Sequence, residues 1–125
     1  MVNESYAKAA EVIEGFWGRF GVPVFREGSV PRGFERPCIV FSHAMGSCFA
    51  EMNESAALVN FAESEANRLI GRIAAAIPEE GKILPIGLND GVAWLNRATT
   101  FVKRRRGTDN LAVVYEVGYT VGVYC

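Results

Sequence analysis

The feature that most constrains the fold is a period of two in the last fifteen residues of the chain. From Leu111 to Val123 every odd position is apolar, whereas the even positions are mixed in character. A period of two indicates a β-strand with one buried face and one less buried face, as in an antiparallel sheet. Because most strands have about 5–6 residues, a strand of this length predicts extended edges that must be paired or covered.

The composition indicates one globular domain and argues against several classes of function. The chain has 125 residues, half of them hydrophobic, with 13 basic and 14 acidic residues. This length predicts a single domain over residues 1–125 with one modest core. A net charge of −1 gives no overall attraction to nucleic acid or to an anionic membrane. The apolar runs are shorter than the roughly 18 residues of a membrane helix, and no signal peptide is recognised, so no membrane partner is expected.

Apolar residues that recur every three or four positions predict two helices. The first runs from about residue 4 to residue 20 and carries three aromatic residues near its end. The second spans about residues 62–77, and Pro78 ends it.

The segments between and after the helices predict short strands and turns. Pro37 opens a strand whose continuous apolar run indicates burial on both faces. Pro85 is expected at an edge or a bulge of its strand, since proline cannot donate to the ladder. The predicted extended segments are Pro23–Arg26, Cys38–Phe41, Lys82–Leu88 and Val92–Lys103, and the predicted turns are Asn89–Gly91 and Gly107–Asn110.

Residues 42–62 permit more than one interpretation. Ser55 can cap a helix that runs to Ile77, or residues 48–52 and 56–61 can form two strands joined near Asn53-Glu54. The strand interpretation is preferred for 56–61. The element order then predicts an α+β fold, in which two helices pack on one face of an antiparallel or mixed sheet that ends in a long hairpin.

Residue types that carry chemistry are few and scattered. His43 is the only histidine, and the three cysteines, Cys38, Cys48 and Cys125, have no CxxC spacing. A thiol and an imidazole without a third, orienting group match no nucleophile motif, and this set lacks the spacing of metal ligands. We therefore expect free thiols, no catalytic residue, no metal, no cofactor and no enzymatic activity.

The one concentrated charge is Lys103-Arg104-Arg105-Arg106, which holds four of the thirteen basic residues at the predicted tip of the long hairpin. One interpretation is a solvated tip whose charges oppose pairing between sheet edges. The other is a loop that faces phosphates or an acidic partner. No aromatic residue interrupts the run, so stacking on bases is not indicated.

The segment Val30–Phe41 reads VPRGFERPCIVF. It resembles the P-x-G-F-x-x-P-C/A loop that leads into the first core strand of tail-completion proteins of tailed bacteriophages. In that family an amphipathic helix and a short P-V-F/Y strand precede the loop, here Tyr6–Phe20 and Pro23–Phe25. A second helix follows, here Glu63–Ile77, and a long hairpin closes the chain, here Phe101–Cys125. The shared order covers almost the whole chain.

The resemblance implies a tail terminator, which is a subunit of a hexameric ring. Such a ring caps the tail tube, stops its polymerisation and forms the surface that joins the head. The implied partners are the tail-tube protein, a head-completion or connector protein, and DNA that passes through the lumen. The implied location is the tail or neck of the virion, after assembly in the host cytoplasm. Two alternatives stay open: a head–tail connector or neck subunit, and a small ligand- or peptide-binding α+β module of mobile-element origin.

Two sets of residues are candidates for contacts in such an assembly. Long strands need their edges covered, and a closed ring can do so between subunits. The basic tip, formed by Lys103, Arg104, Arg105 and Arg106, is expected to face the lumen or the tube protein. The candidate assembly strand presents its alternating apolar residues, Val113, Tyr115, Val117, Tyr119, Val121 and Val123.

Overall fold

A computed structural model describes residues 2–42, 51–87, 91–106 and 113–124. These residues form two helices and six strands in an α+β arrangement, as predicted. The elements are α1 (Val2–Gly18), β1 (Val24–Arg26), β2 (Cys38–Phe41), β3 (Glu51–Val59), α2 (Glu63–Ala76), β4 (Lys82–Pro85), β5 (Val92–Arg106) and β6 (Val113–Tyr124).

The six strands form one mixed sheet in the order β1-β2-β3-β6-β5-β4. Only the pair of β1 and β2 is parallel, and every other neighbouring pair is antiparallel. The last strand of the chain lies in the middle of the sheet, with β3 on one side and β5 on the other. Its unusual length is therefore satisfied inside the subunit, because backbone groups on both its edges find partners in neighbouring strands.

Both helices pack on the same face of the sheet, as predicted. The buried cluster combines residues of α1, residues of α2 and the odd positions of β6. At its centre the indole of Trp17 packs against the ring of Tyr119, with 5.5 Å between their ring centroids. Phe16 and Phe20 surround the same indole at 5.1 and 6.0 Å. The aromatic end of α1 thus supplies the packing that compensates for the weak helix propensity of its glycines.

The segment 51–59 is one continuous strand, which confirms the preferred strand over residues 56–59 and corrects both the helix from Ser55 and the turn at Asn53-Glu54. No helix begins at Ser55, and no turn separates two strands at Asn53-Glu54. Instead Asn53 and Glu54 pair directly with Thr120 and Tyr119 of β6. The long neighbouring ladder overrides the turn preference of these two residues, because tertiary pairing outweighs local propensity in strands.

The remaining predictions hold with small shifts at the ends of elements. The first helix ends at Gly18, two residues early, and α2 ends just before Ile77. The strand β4 lies at the edge of the sheet and ends on Pro85, as its proline requires. The strand β5 continues to Arg106, three residues beyond the prediction. The predicted turns at 89–91 and 107–110 lie wholly or largely outside the described residues.

Candidate functional site

The outer half of the basic run extends beyond the strand β3. The last pair that joins β3 to β6 is Leu58 with Tyr115. The hairpin of β5 and β6 continues for two further pairs, in which Arg105 and Arg106 stand opposite residues 114 and 113. Residues 105 and 106 therefore lie on a two-stranded extension, whereas Lys103 and Arg104 stand opposite residues of β6 that also pair with β3.

The first two basic residues of the run face carboxylates of the same subunit. Arg104 lies 3.6 Å from Glu63 at the start of α2, in an exposed ion pair. The hydroxyl of Tyr115 also donates to Glu63, at 3.4 Å. Lys103 stands directly opposite Glu116 on the other face of the hairpin. Two acidic neighbours thus offset part of the charge of the run, and the side chains of Arg105 and Arg106 lie outside the described residues.

The candidate assembly strand belongs to the core of the subunit. Tyr115 is 7% exposed, and the next four apolar positions are fully buried beneath the helices: Val117, Tyr119, Val121 and Val123. The side chain of Val113 lies outside the described residues. These side chains are covered by α1 and α2 of their own chain, so a contact with a neighbour must use other surfaces. The alternating pattern shows that one face is buried, but it carries no signal for what buries it.

An arginine that the sequence analysis did not single out joins β5 to the end of α2. Arg97 donates from Nε to the carbonyl of Ile77 at 2.6 Å and from an Nη to the carbonyl of Ala74 at 2.7 Å. Its guanidinium also lies 4.7 Å from the centre of the Phe101 ring. No residue in the last turn of α2 is basic, so Arg97 supplies the positive charge that a helix C-terminus favours.

A bulge in β5 separates Arg97 from the basic tip. The register between β5 and β6 shifts between Arg97 and Val102. Within this shift the carbonyl of Thr100 approaches Gly118 so closely that a Cβ on Gly118 would lie 2.7 Å from it. Glycine is therefore required there, and the bulge changes the local twist of the hairpin that leads to the tip.

Two hydrogen bonds between side chains join α1 to β6 and the end of β2 to β3. The indole nitrogen of Trp17 donates to the hydroxyl of Tyr119 at 3.3 Å. Glu54 is 7% exposed and accepts a hydrogen bond from the Ser42 hydroxyl at 2.7 Å. Burial and, secondarily, the nearby charge of Glu54 raise the pKa of Tyr119, although the bond from Trp17 opposes this. The sequence analysis did not single out Glu54. A strand over residues 51–59 places it on the same face as Ala56 and Leu58, which is the core face.

The raised pKa of Tyr119 predicts a specific loss of stability at high pH. The unfolded phenol ionises near about pH 10, whereas the folded phenol stays neutral, so unfolding releases a proton above that pH. We expect the free energy of unfolding to fall by about 1.4 kcal/mol per pH unit through this group above about pH 10. The variant Tyr119→Phe lacks this term, so its stability relative to the wild type should rise in urea titrations above about pH 10.

A comparison at lower pH controls for the lost hydrogen bond in this variant. Between about pH 7 and about pH 9 the phenol is neutral in both states, so the difference between the two proteins should stay constant. If the difference in unfolding free energy between the two proteins stayed at the same value above about pH 10, Tyr119 would ionise equally in the folded and unfolded states, and the prediction would be wrong.

The second face of the sheet carries neither described helix. It has small side chains where Ser55 faces Gly118 and Asn53 faces Thr120, and charged ones at Glu51 and Glu116. Toward β4 this outer face becomes aromatic, with 6.3 Å between the ring centroids of Trp94 and Tyr124. Ile83 and Trp94, which stand opposite each other at that end, are the exposed apolar pair of this face.

An open groove lies between the end of α1 and α2. It has a volume of about 220 Å³ and apolar walls from Phe20, Val22, Phe61 and Leu69, completed by charged residues of α2. Arg72 lies over the Phe20 ring at 5.4 Å and donates to the Phe20 carbonyl at 3.3 Å. Small-molecule sites usually measure about 300–1,000 Å³ and enclose most of their ligand, so this groove is small for such a role.

The residues considered for chemistry are largely separated or outside the described ranges. His43, Cys48 and Cys125 all lie outside them, and Cys38 is buried at the start of β2. Burial raises the pKa of the Cys38 thiol, which lowers its thiolate fraction near neutral pH. Among the residues that the structure describes, no three His, Cys, Asp or Glu side chains gather as metal ligands. Neither helix in these ranges has both the length and the apolar character needed to cross a membrane.

The loop between β1 and β2 contains a tight turn at a glycine, and this turn packs against β1. The Phe34 N–H donates to the Pro31 carbonyl at 3.1 Å, and Gly33 has a φ of 77°. Glycine with positive φ at the third position is typical of a type II turn. The turn places Phe34 edge-on against Phe25 of β1, with 4.9 Å between ring centroids. Two separate pieces of sequence, PVF and PRGF, therefore form one local unit.

No protein family, curated protein or solved structure matches this chain.

Proposed function

We propose that this chain is a structural assembly protein of the tail-terminator type. In this role it forms a hexameric ring that caps the phage tail tube, ends its polymerisation and offers a surface for joining the head. Its partners are other copies of itself, the tube protein, and a head-completion or connector protein. Its place is the tail or neck of the virion, and its role requires no catalytic residue.

The contact between Phe25 and Phe34 is the observation that carries the proposal. The resemblance to tail-completion proteins rests on a P-V-F strand and a P-x-G-F loop, which are separated in the sequence. In the structure the two pieces pack against each other and lead directly into β2. This contact gives the shared motif a physical role, since it fixes the crossover between two parallel strands.

Two exposed features favour assembly over a solitary role. The outer face of the sheet carries neither described helix and exposes Ile83 and Trp94, and the hairpin of β5 and β6 extends two residue pairs beyond β3. Neither feature is needed to complete the core, which both helices already cover. A subunit of a ring needs at least two such surfaces, because each copy contacts a neighbour on either side.

The alternatives differ in their partners and in their mass. A head–tail connector or neck subunit would form a similar ring but would bind the portal side of the particle and leave tube length unchanged. A ligand- or peptide-binding module would act as a monomer or dimer through the groove beside α2. The small volume and open shape of that groove favour the assembly role.

The mass of the purified protein is the first test of the proposal. Six copies of the 13.7 kDa chain weigh about 82 kDa. We expect light scattering across a concentration series to approach this mass, alone or after addition of tube protein, and negative-stain images to show rings. A strict monomer under both conditions would contradict the ring and favour the binding module.

Tube capping separates the terminator from the connector. Subunits of the tail-tube protein that this chain caps should polymerise into shorter tubes when the protein is present, with rings at one end in negative-stain images. Tubes of unchanged length with rings still formed would favour the connector.

A further inference from the structure

Two surfaces of the described residues lie on opposite faces of the sheet and toward opposite edges. The first is the open groove between the end of α1 and α2, called the α2 groove below, whose walls include Phe20 and Val22 just before β1. The second is the β4 patch, which consists of Glu79, Glu80, Ile83 and Trp94. The strands β1 and β4 are the two edges of a six-stranded sheet, about 24 Å apart. Ile83 on the outer face therefore cannot reach the groove of its own subunit.

The β4 patch is an apolar projection with an acidic turn beside it. Ile83 is 56% exposed, more than any other large apolar side chain of the described residues, and Trp94 stands opposite it at 37%. The Gly81 N–H donates to the Pro78 carbonyl at 2.9 Å and closes the turn that carries both glutamates. Gly81 has a φ of 92° and lies so close to the Trp94 indole that a Cβ there would collide with it. The acidic turn thus packs beside the apolar pair.

Nothing in the described part of the subunit covers the β4 patch. Both glutamates of the turn are exposed and form no ion pair within the described ranges. The strand β4 also lies at the edge of the sheet, where backbone groups on one side lack a strand partner. An exposed apolar pair next to an open sheet edge is typical of a contact surface.

The α2 groove has the size of a single apolar side chain. Its volume is about 220 Å³, and apolar cavities of about 150 Å³ can hold a benzene molecule. Its apolar walls are Phe20, Val22, Phe61 and Leu69. The groove therefore fits a branched aliphatic side chain such as Ile83.

The rim of the α2 groove is basic. Arg68 and Arg72 lie one turn apart on α2, and Glu65 lies about one turn before Arg68, so the rim carries a net charge of +1. Arg72 is held over the groove wall by its hydrogen bond to the Phe20 carbonyl. Arg68 is exposed and forms no ion pair within the described ranges. The two arginines are thus available to a carboxylate from outside the subunit.

We propose that the β4 patch of one copy docks in the α2 groove of a second copy. Ile83 fills the groove, and the acidic turn beside it faces Arg68 and Arg72 on the rim. Charge complementarity selects this occupant, because the acidic turn carries the charge opposite to that of the rim. The contact joins two different surfaces, so it is head-to-tail and repeats from copy to copy. This inference rests on the proposed function for the number of subunits in the ring, and it names the contact between them.

The apolar half of the contact is tested with Ile83→Asp. We expect this variant to self-associate at least about tenfold more weakly than the wild type, because a carboxylate replaces the side chain that fills the groove. The matched control is Val30→Asp, which makes the same change at an apolar residue that is 38% exposed between β1 and β2. Sedimentation velocity measures the association, and circular dichroism checks that both variants fold. Equal association of Ile83→Asp and the wild type would overturn the docking.

The polar half is tested by charge reversal on each side. The groove variant carries Arg68→Glu and Arg72→Glu, and the β4 variant carries Glu79→Lys and Glu80→Lys. We expect each variant alone to self-associate at least about tenfold more weakly than the wild type, because like charges then face each other. Measurements at roughly 0.1 M salt keep this effect visible, since higher salt screens it.

An equal mixture of the groove variant and the β4 variant should regain the association of the wild type. In the mixture each basic β4 patch meets an acidic groove, and each acidic β4 patch meets a basic groove, so the two variants alternate. Glu11→Lys with Glu35→Lys is the matched control, because it makes the same charge change at exposed positions of α1 and of the loop after β1. A mixture that stays monomeric, a single variant that associates like the wild type, or a wild type without self-association would each contradict the docking.

The same proteins distinguish this inference from the proposed function. Restored association in the mixture without any effect on tube length would keep the docking and remove the terminator role. Tube capping by each single variant at wild-type levels would keep the terminator role and remove the docking.

Discussion

A chain that ends at Gly118 should not fold. The truncation removes Tyr119, Val121 and Val123, all fully buried, from the central strand of the sheet. Each such side chain contributes about 1.5–3 kcal/mol through burial. The sum of these losses is comparable to the whole stability of about 5–15 kcal/mol that a domain possesses. The truncation also removes the backbone hydrogen bonds on both sides of this part of β6. The first halves of β3 and of β5 then lack β6 as a pairing partner.

Circular dichroism and the dispersion of amide resonances in NMR spectra measure this result. The matched control is Thr120→Ala, which alters the same strand on its outer face and should stay within about 1 kcal/mol of the wild type. A soluble truncated protein with native dispersion would show that the terminal strand is dispensable. If the truncated protein kept its fold but formed no rings, the terminal strand would be needed for assembly and not for folding.

The strand β6 was predictable because every second side chain along it is buried in the same core. Helices cover one face of β6 continuously, so the apolar positions recur with a period of two and remain visible in a single sequence. The pattern states that a face is buried but not by which residues. Whether Tyr119 contacts its own α1 or a neighbouring subunit depends on a residue more than a hundred positions away, Trp17. The sequence pattern alone therefore could not show that the odd positions of β6 are buried within the subunit.

The strand β3 was only partly predictable for the opposite reason. Asn53 and Glu54 favour turns locally, and neither of them carries an apolar signal. Their strand conformation comes from pairing with Thr120 and Tyr119, which lie far away in sequence. Likewise the basic run was visible as a run of charge, whereas the exposed pair of Ile83 and Trp94 was not. These two residues lie on different strands, and only the register between β4 and β5 brings them together.

Replacing Arg97 with methionine should destabilise the protein by about 2–4 kcal/mol, since hydrogen bonds to a charged group are each worth roughly 1.5–3 kcal/mol. The substitution keeps a long apolar stem but removes both hydrogen bonds to the carbonyls at the end of α2. It leaves the carbonyls of Ala74 and Ile77 without their donor beneath the bulge of β5. It also removes the only positive charge that the structure places against the C-terminal carbonyls of α2 among its described residues.

Urea unfolding of Arg97→Met and Arg97→Lys separates charge from geometry. Lysine keeps the charge, but its ammonium lacks the planar fork that spans two carbonyls and the flat surface that stacks on Phe101. We therefore expect lysine to restore less than half of the lost stability. Full restoration of stability by lysine would show that Arg97 stabilises the end of α2 through its charge. The geometry of its two hydrogen bonds would then not matter.

Arg72→Met is the matched control for both substitutions. Arg72 also donates to a backbone carbonyl and lies over an aromatic ring, in both cases at Phe20. It makes one such bond, at 3.3 Å, and sits on an exposed position of α2. Its loss should cost less than about 1 kcal/mol, as for most exposed polar contacts. Equal losses at the two positions would mean that Arg97 acts as an ordinary surface arginine and does not fasten α2 to the hairpin that carries the basic tip.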